Sequence, residues 1–408
     1  MMKRIGMVQA ENRGFPPDIR IEKEARSLIK AGFKVSLLVQ TAGAKQAYRE
    51  RFDYGLEVFR FNNKEQNLVQ RWVENGTMFY RNWFKSIQHF VQIAHLDILH
   101  AHDLDIVPTT LKVAKKFSLP LVADLHENLP AAYVAYRQRD ILNKLKNYIV
   151  RNYYLMRWHE KRSLMQCAKV IVVVPEATER LVNNYGISQE KICIVSNTEE
   201  ESTFDVSLLD YEIINRYQDN WLALYIGGIA PHRGLDTAIR AAAQVAPTIP
   251  KFKLLVVGVQ RDKERKQIMN LSRITGTSEY LELVDWVPSY KVNSYIAASD
   301  VCLVPHNDYE HTHTTVPHKL FQYMMMKKPV VVSSCRPLKR IVEETQSGIV
   351  FRVNDPSDLA RCLVNLYRGG DVDAKKYGEN GQKAALGSYS WKNDSKRLIK
   401  MYHNLFEL

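Results

Sequence analysis

Nowhere in its 408 residues does the chain offer the ~18 uninterrupted apolar residues that a membrane-spanning helix needs. The opening MMKRIGMVQAENRGF meets charge too soon to build the ~7 to 15 residue apolar core of an export signal, so a cytoplasmic location is expected. Cysteine is sparse. The five, Cys167, Cys193, Cys302, Cys335 and Cys362, stand far apart, mostly in apolar strings such as KICIV and DVCLV, which argues against a disulfide framework and for reduced, buried thiols. Low-complexity tracts and short-period repeats are also missing. Acid is in deficit: 57 Lys and Arg against 44 Asp and Glu leave a formal charge of +13. That balance speaks of partners rather than fold and admits phosphorylated small molecules, nucleic acid or an anionic membrane surface.

What is present is an ordinary globular composition, 46% hydrophobic and 25% charged, in a chain long enough for two cores. Apolar runs of strand length alternate with amphipathic runs of helix length, the pattern of parallel α/β sheets with crossover helices. RIGMVQ, KVSLLV, DILHAH, PLVADL and KVIVVV read as a first strand series, with DIRIEKEARSLIKAG a helix stopped at Gly32. From Asn197 the texture turns acidic and loses strand-like runs, as in a linker. The alternation then restarts with WLALYIGG, FKLLVVG, LELVDWV, DVCLVP and PVVVSS. Two doubly wound, Rossmann-like domains are expected, over 1–200 and 201–385, followed by a terminal helix over 386–408 with Leu398, Met401, Tyr402 and Leu405 at helical spacing. Ligands of open parallel sheets bind beyond the carboxyl ends of the strands, so chemistry is sought there.

In the second series, helices open just after two such strand ends. One begins near Pro317, placing His318 and Lys319 in a first turn where the bare amides and the macrodipole disfavour a cation unless an anion is bound. The other follows YIGGIAPHRG, where Arg233 stands at the helix entrance and Gly227 and Gly228 allow close backbone approach. Singly, Arg233 and Lys319 read as solvated surface charges. Together, at equivalent junctions, they suit a diphosphate. A metal reading of His311, His313 and His318 lacks the cysteine or carboxylate that would complete a zinc set.

YIGGIAPHRGLDTAIRAA and TTVPHKLFQYMMMKKPVVVSS resemble the nucleotide-sugar-binding motifs of the family-four retaining glycosyltransferases, and DLHE, IVSN, LVDWVP and YSWKNDSKRLIKMY fall in that family's order. The resemblance implies the GT-B fold, with two Rossmann-like domains facing a central cleft and the C-terminal helix packing back. It further implies that Arg233 and Lys319 grip a donor diphosphate, that amides of Thr314, Thr315 and Val316 hold phosphate and sugar hydroxyls, and that the base sits near Trp286 and Val287. Gly14, in the first loop, would let the diphosphate approach, or is a turn residue beside Pro16 and Pro17. The chain departs from the family pattern in three places. Gly228 stands where an arginine is usual, and Thr314 and Gln322 stand where paired glutamates are usual. Gln322 can still hydrogen-bond a ribose hydroxyl, while Glu310 or His311 becomes a candidate for the sugar contact that the first glutamate would make.

In the first series His102 and Asp103 end one strand, and His126 and Glu127 end the next. The resemblance implies that His126 touches the donor sugar near its reacting carbon, oriented by Glu127. The other expectation for these histidines is a bond to neighbouring backbone and nothing more. Asp18 and Arg20 are weaker candidates. Asp103-x-Asp105 has the form of a metal-binding motif of another glycosyltransferase fold, but the cations and helix ends already balance a diphosphate, so metal-independent catalysis with no cofactor is expected. Residues 133–162 hold eight Lys or Arg against two acids. Leu142, Leu145, Ile149, Tyr153 and Met156 form an apolar stripe there, either resting on an anionic membrane surface or packing on its own domain. The expected reaction is retaining sugar transfer to a glycan, lipid-linked or small-molecule hydroxyl. An epimerase or hydrolase of the same fold, and a polyanion-binding protein, are the rivals; no nucleic-acid module is apparent.

Overall fold

The computed structural model describes residues 2–10, 15, 18–41, 48–62, 67–136 and 152–407. Two compact units emerge, one of Met1–Ser196 with Asp394–Leu408, the other of Asn197–Asn393. Gly14 and residues 137–151, which carry Leu142, Leu145 and Ile149 of the basic stripe, lie outside the described residues. Of that stripe, Met156 is buried and Tyr153 half-buried, on the helix Tyr153–Leu164.

The first unit is built on β1 (Arg4–Gln9), β2 (Lys34–Gln40), β3 (Arg49–Arg51), β4 (Glu57–Phe61), β5 (Ile98–His102), β6 (Leu121–Leu125), β7 (Lys169–Val172) and β8 (Ile192–Ile194). Their order across the sheet is β3-β4-β2-β1-β5-β6-β7-β8, parallel throughout except for β3 against β4. Strands β5 and β6 are buried along their whole length, which is why they read as near-continuous apolar runs. Between β1 and β2, Asp18 caps the helix Ile19–Lys30 by accepting from the Ile21 amide, and Gly32 at φ +93° turns the chain out of it.

Three strands of this sheet escape the apolar pattern. RER of β3 is fully exposed, and β8 has only three half-buried residues. EVFRF of β4 buries charges by pairing them: the Arg60 guanidinium donates to the Phe15 carbonyl and lies 2.7 Å from Glu50, while Glu57 meets Arg49 at 3.0 Å. The C-terminal helix Trp391–Glu407 buries Leu398, Met401 and Tyr402, with Leu405 half-buried, and from Asp394 it belongs to the first unit. The Tyr402 hydroxyl lies 2.7 Å from Nδ1 of His100 on β5.

In the second unit β9 (Trp221–Ile226), β10 (Phe252–Val259), β11 (Leu281–Asp285), β12 (Val301–Val304), β13 (Val330–Ser333) and β14 (Gly348–Phe351) are all parallel, in the order β11-β10-β9-β12-β13-β14. This is the doubly wound 3-2-1-4-5-6 arrangement, whose order reverses between β9 and β12 and opens a crevice beyond their carboxyl ends. Helix Leu235–Val245 buries its apolar stripe in the same core as β9, β10 and β12. Segment 197–220, which reads as a linker, carries 3-10 turns and the helix Tyr211–Arg216 and is part of this unit. Among the described residues no helix is long and apolar enough to cross a membrane.

Candidate active-site residues

At the reversal point of the second sheet, Gly227 follows β9 with φ +126°, a conformation that L side chains rarely adopt. A Cβ there would lie 3.0 Å from Nζ of Lys319 and 3.5 Å from Nη1 of Arg233. Arg233 sits on the 3-10 turn Pro231–Arg233 and donates Nη1 to the Gly228 carbonyl at 2.9 Å. Gly234, at φ +68°, then starts the helix Leu235–Val245, and its bare Cα is pressed so close to the Pro305 carbonyl that no side chain fits. Two cations are thus gathered on one short backbone turn.

Lys319, in the first turn of helix His318–Met325, is 7% exposed and lies 3.7 Å above the Tyr225 ring. Among the described residues its ammonium has no hydrogen-bond partner. Burial, reinforced by Arg233, pushes its pKa well below the ordinary lysine value. A buried, unpaired ammonium beside a guanidinium is costly in isolation and favourable once an anion arrives.

Around this pair the structure collects His232, His306 and His311, all buried. The His232 and His311 rings are 5.1 Å apart, and those of His232 and His306 6.2 Å. The three histidines considered for a metal diverge: His311 packs on His232, His313 lies 2.7 Å from Asp308, and His318 lies 3.2 Å from Glu199. The Thr314 amide donates to the His311 carbonyl, so an internal turn already engages it. Thr315 is buried, and Val316 accepts from the Asn197 side chain through its carbonyl. Glu310 is exposed. Gln322 donates to Glu199, a buried carboxylate that sequence patterns give no reason to suspect. Trp286, whose amide donates to Val259, is 57% exposed, and Val287 is half-buried.

In the first unit the strand-end histidines belong to a buried charge network. His102 is opposite Asp124 in the β5–β6 register, and its Nδ1 lies 3.2 Å from that carboxylate. His126 is held between two carboxylates, Nε2 at 3.0 Å from Asp124 and Nδ1 at 3.3 Å from Asp103. These two aspartates orient the ring, and Glu127, its neighbour in the chain, is half-buried. Burial pulls the His126 pKa down, yet Asp103 and Asp124 outweigh it and raise the value well above the usual 6.5. The remaining charge is balanced by Arg20, which donates to both oxygens of Asp124 at 3.2 and 2.9 Å and lies 3.1 Å from Glu24. Arg20 is therefore a buried structural cation, and Asp18 a helix cap.

Glu24, His100, His102 and Asp124 offer ligand atoms within 4.8 Å of one another, the one metal-sized grouping among the described residues. A guanidinium already holds two of its carboxylates, so an ion placed there would compete with Arg20. Of the three histidines in this network, His100 and His102 are buried and His126, 20% exposed, is the one that reaches toward solvent.

Family profiles place this architecture. The profile described as Glycosyltransferase Family 4 matches residues 20–198, and that described as Glycosyl transferases group 1 matches residues 221–369. The chain belongs to the group 1, family 4 glycosyltransferases. Among curated relatives, it is 21% identical over 239 residues to an uncharacterized glycosyltransferase of Methanocaldococcus jannaschii, covering 58% of this chain and 59% of that one. It is 23% identical over 254 residues to a D-inositol 3-phosphate glycosyltransferase of Streptosporangium roseum, covering 60% and 56%. The chain thus spans less than two thirds of the length of these two relatives. Among solved structures, a sucrose-phosphate synthase from Thermosynechococcus elongatus is similar at a TM-score of 0.81, 16% identity and 99% coverage of each chain. Anabaena HepE is similar at 0.71, 14% and 100% of each. These likenesses support the GT-B fold for the chain.

Proposed function

We propose that the protein moves a sugar from a nucleotide-diphosphate donor to a hydroxyl acceptor, with retention at the anomeric carbon. The observation that carries this reading is the Lys319 ammonium, buried without a hydrogen-bond partner beside Arg233 and against the bare Gly227 backbone. A diphosphate supplies the acceptors and negative charge that this site lacks. The names of similar structures agree in kind, since HepE was solved with UDP and with UDP-glucose, and an E. coli trehalose-6-phosphate protein with UDP-2-fluoro glucose.

In the proposed mechanism Arg233 and Lys319 neutralise charge as it builds on the departing phosphate, and a phosphate oxygen takes the acceptor proton on the same face. His126 positions the donor sugar and holds its own proton, since two carboxylates favour the imidazolium. Val287 and Trp286 lie on the base side, and the acceptor is a glycan, lipid-linked or small-molecule hydroxyl. No metal is required, so EDTA leaves turnover unchanged; loss on chelation with recovery on adding a divalent ion overturns that part.

Thermal shift against UDP-, GDP- and ADP-sugars tests the core reading. One class stabilises the wild type by about 2.7 kcal/mol at a hundredfold excess over its Kd, and Arg233→Ala and Lys319→Ala lose the shift. Stabilisation that persists in both variants sinks the proposal. Donor consumption that proceeds at full rate without acceptor identifies an epimerase or hydrolase instead.

A further inference from the structure

We infer that His306 is a third ligand for the anion held by Arg233 and Lys319, and that donor binding draws a proton from solvent onto its ring. The inference rests on the donor reading above and adds to it a residue and a linked proton.

His306 lies two residues beyond β12, at the same reversal point of the sheet as Gly227. It is 4% exposed, and neither Nδ1 nor Nε2 has a hydrogen-bond partner among the described residues. Buried polar side-chain atoms are paired in the large majority of cases. Here three nitrogens in one neighbourhood, two on His306 and one on Lys319, are all unpaired. Their common deficiency is an acceptor.

The groups whose charge bears most on the His306 ring come from three segments of the unit. They are Lys319 on the helix after the loop, Arg233 and His232 on the turn after β9, and His311 on the loop after β12. From the start of helix Arg336–Thr345, Cys335 donates its thiol to the His306 carbonyl at 3.6 Å. No carboxylate is among them. A neutral imidazole offers one N–H and needs one acceptor for it, whereas an imidazolium offers two N–H donors and accepts nothing. Phosphate oxygens satisfy the second form fully, and they satisfy Lys319 as well.

Without an anion, burial and the neighbouring cations hold the ring well below its ordinary value, so it is neutral near pH 7. An arriving diphosphate reverses the local field and raises that value. Between the free and bound values, binding takes up a proton, and donor affinity falls as pH rises through the bound one.

The test is calorimetric titration of the full chain with UDP-glucose, GDP-mannose and ADP-glucose. Two buffers of different ionisation enthalpy are used, at about pH 6.5 and about pH 8. The diphosphates of these donors stay ionised over that range, so protons taken up go to the protein. The expected result is net uptake at the lower pH, shrinking at the higher with weaker binding. His306→Asn is expected to bind roughly tenfold more weakly or worse and to take up less. Uptake that is undiminished in this variant overturns the assignment of the proton to His306. In 15N-histidine spectra of the wild type, the resonance missing from His306→Asn moves to the imidazolium position on donor addition. Binding without buffer-dependent heat, with that resonance still neutral, overturns this inference alone. Absence of binding by all three donors overturns the donor reading and this inference with it.

Discussion

Gln322 donates its side-chain amide to Glu199 across 3.2 Å, and His318 meets the same carboxylate oxygen, also at 3.2 Å. The resemblance puts a glutamate at position 322, yet here the carboxylate of this pair comes from a residue 123 positions earlier in the chain. Glu199 is 1% exposed. Gln322→Glu therefore does not restore a family feature but sets two acids face to face in a buried site. The variant is expected to lose roughly 1 to 3 kcal/mol, read as a melting temperature about 2 to 4 °C lower per kcal/mol. The exchange Glu199→Gln with Gln322→Glu recovers most of it, a coupling that a double-mutant cycle measures. A single variant that melts with the wild type at neutral pH refutes the pairing.

Lys319 invites the opposite experiment. Because its ammonium is buried without a hydrogen bond, Lys319→Met removes a desolvated charge and leaves an aliphatic stem over Tyr225. The free variant is expected to be at least as stable as wild type, by roughly 0 to 1 kcal/mol, while its nucleotide-sugar shift disappears. Equal loss of stability and of binding shows instead that the lysine holds the fold together.

Gly227→Ala and Gly276→Ala separate strain from function. Both glycines have positive φ, +126° and +71°, so each alanine costs about 1 to 3 kcal/mol of backbone strain. Of the two, only at Gly227 does the added methyl meet the cation pair; at Gly276 nothing among the described residues lies within 4 Å. Donor binding measured by titration should vanish in the first variant and survive in the second. Parallel binding in the two leaves the Gly227 turn no role in the site.

What the sequence made legible and what it hid follow from the range of the interactions. Arg233, Lys319 and His126 are marked by local pattern, a strand end followed by a helix start or a polar residue closing an apolar run, and such patterns need only neighbours in the chain. Asp124 meets His102 through strand register and Arg20 from 104 positions away, and no local pattern encodes such partners. The alternation His100-x-His102 does put both rings on one strand face, where they stack at 4.3 Å, and Asp124-x-His126 places those two side chains together in the same way. His306 passes for loop polarity until its burial is seen. Strands β3 and β8 are three residues long, too short for periodicity to register. The resemblance implies a Thr314 amide that holds phosphate or sugar, and the turn that engages it is visible only in three dimensions.

His126 offers a prediction in pH. Burial lowers its pKa, but Asp103 and Asp124 together lift it well above 6.5. A group raised in the folded state contributes stability that is fully present below its unfolded value and lost as pH rises through the folded one. Stability of the wild type should therefore decline on the alkaline side of neutrality. Asp103→Asn keeps the shape, and asparagine tolerates the φ of +65° found there, so the substitution isolates the charge. With one carboxylate gone the folded value of His126 falls, and the decline begins at lower pH. Below the unfolded value the variant is less stable by roughly 1 to 3 kcal/mol, the range for a hydrogen bond to a charged partner. Melting temperature followed from about pH 6 to about pH 9, with the His126 ring observed by NMR, measures both. If the two proteins give superimposable profiles, Asp103 does not hold the proton on His126, and the imidazolium form assigned to the proposed mechanism fails with it.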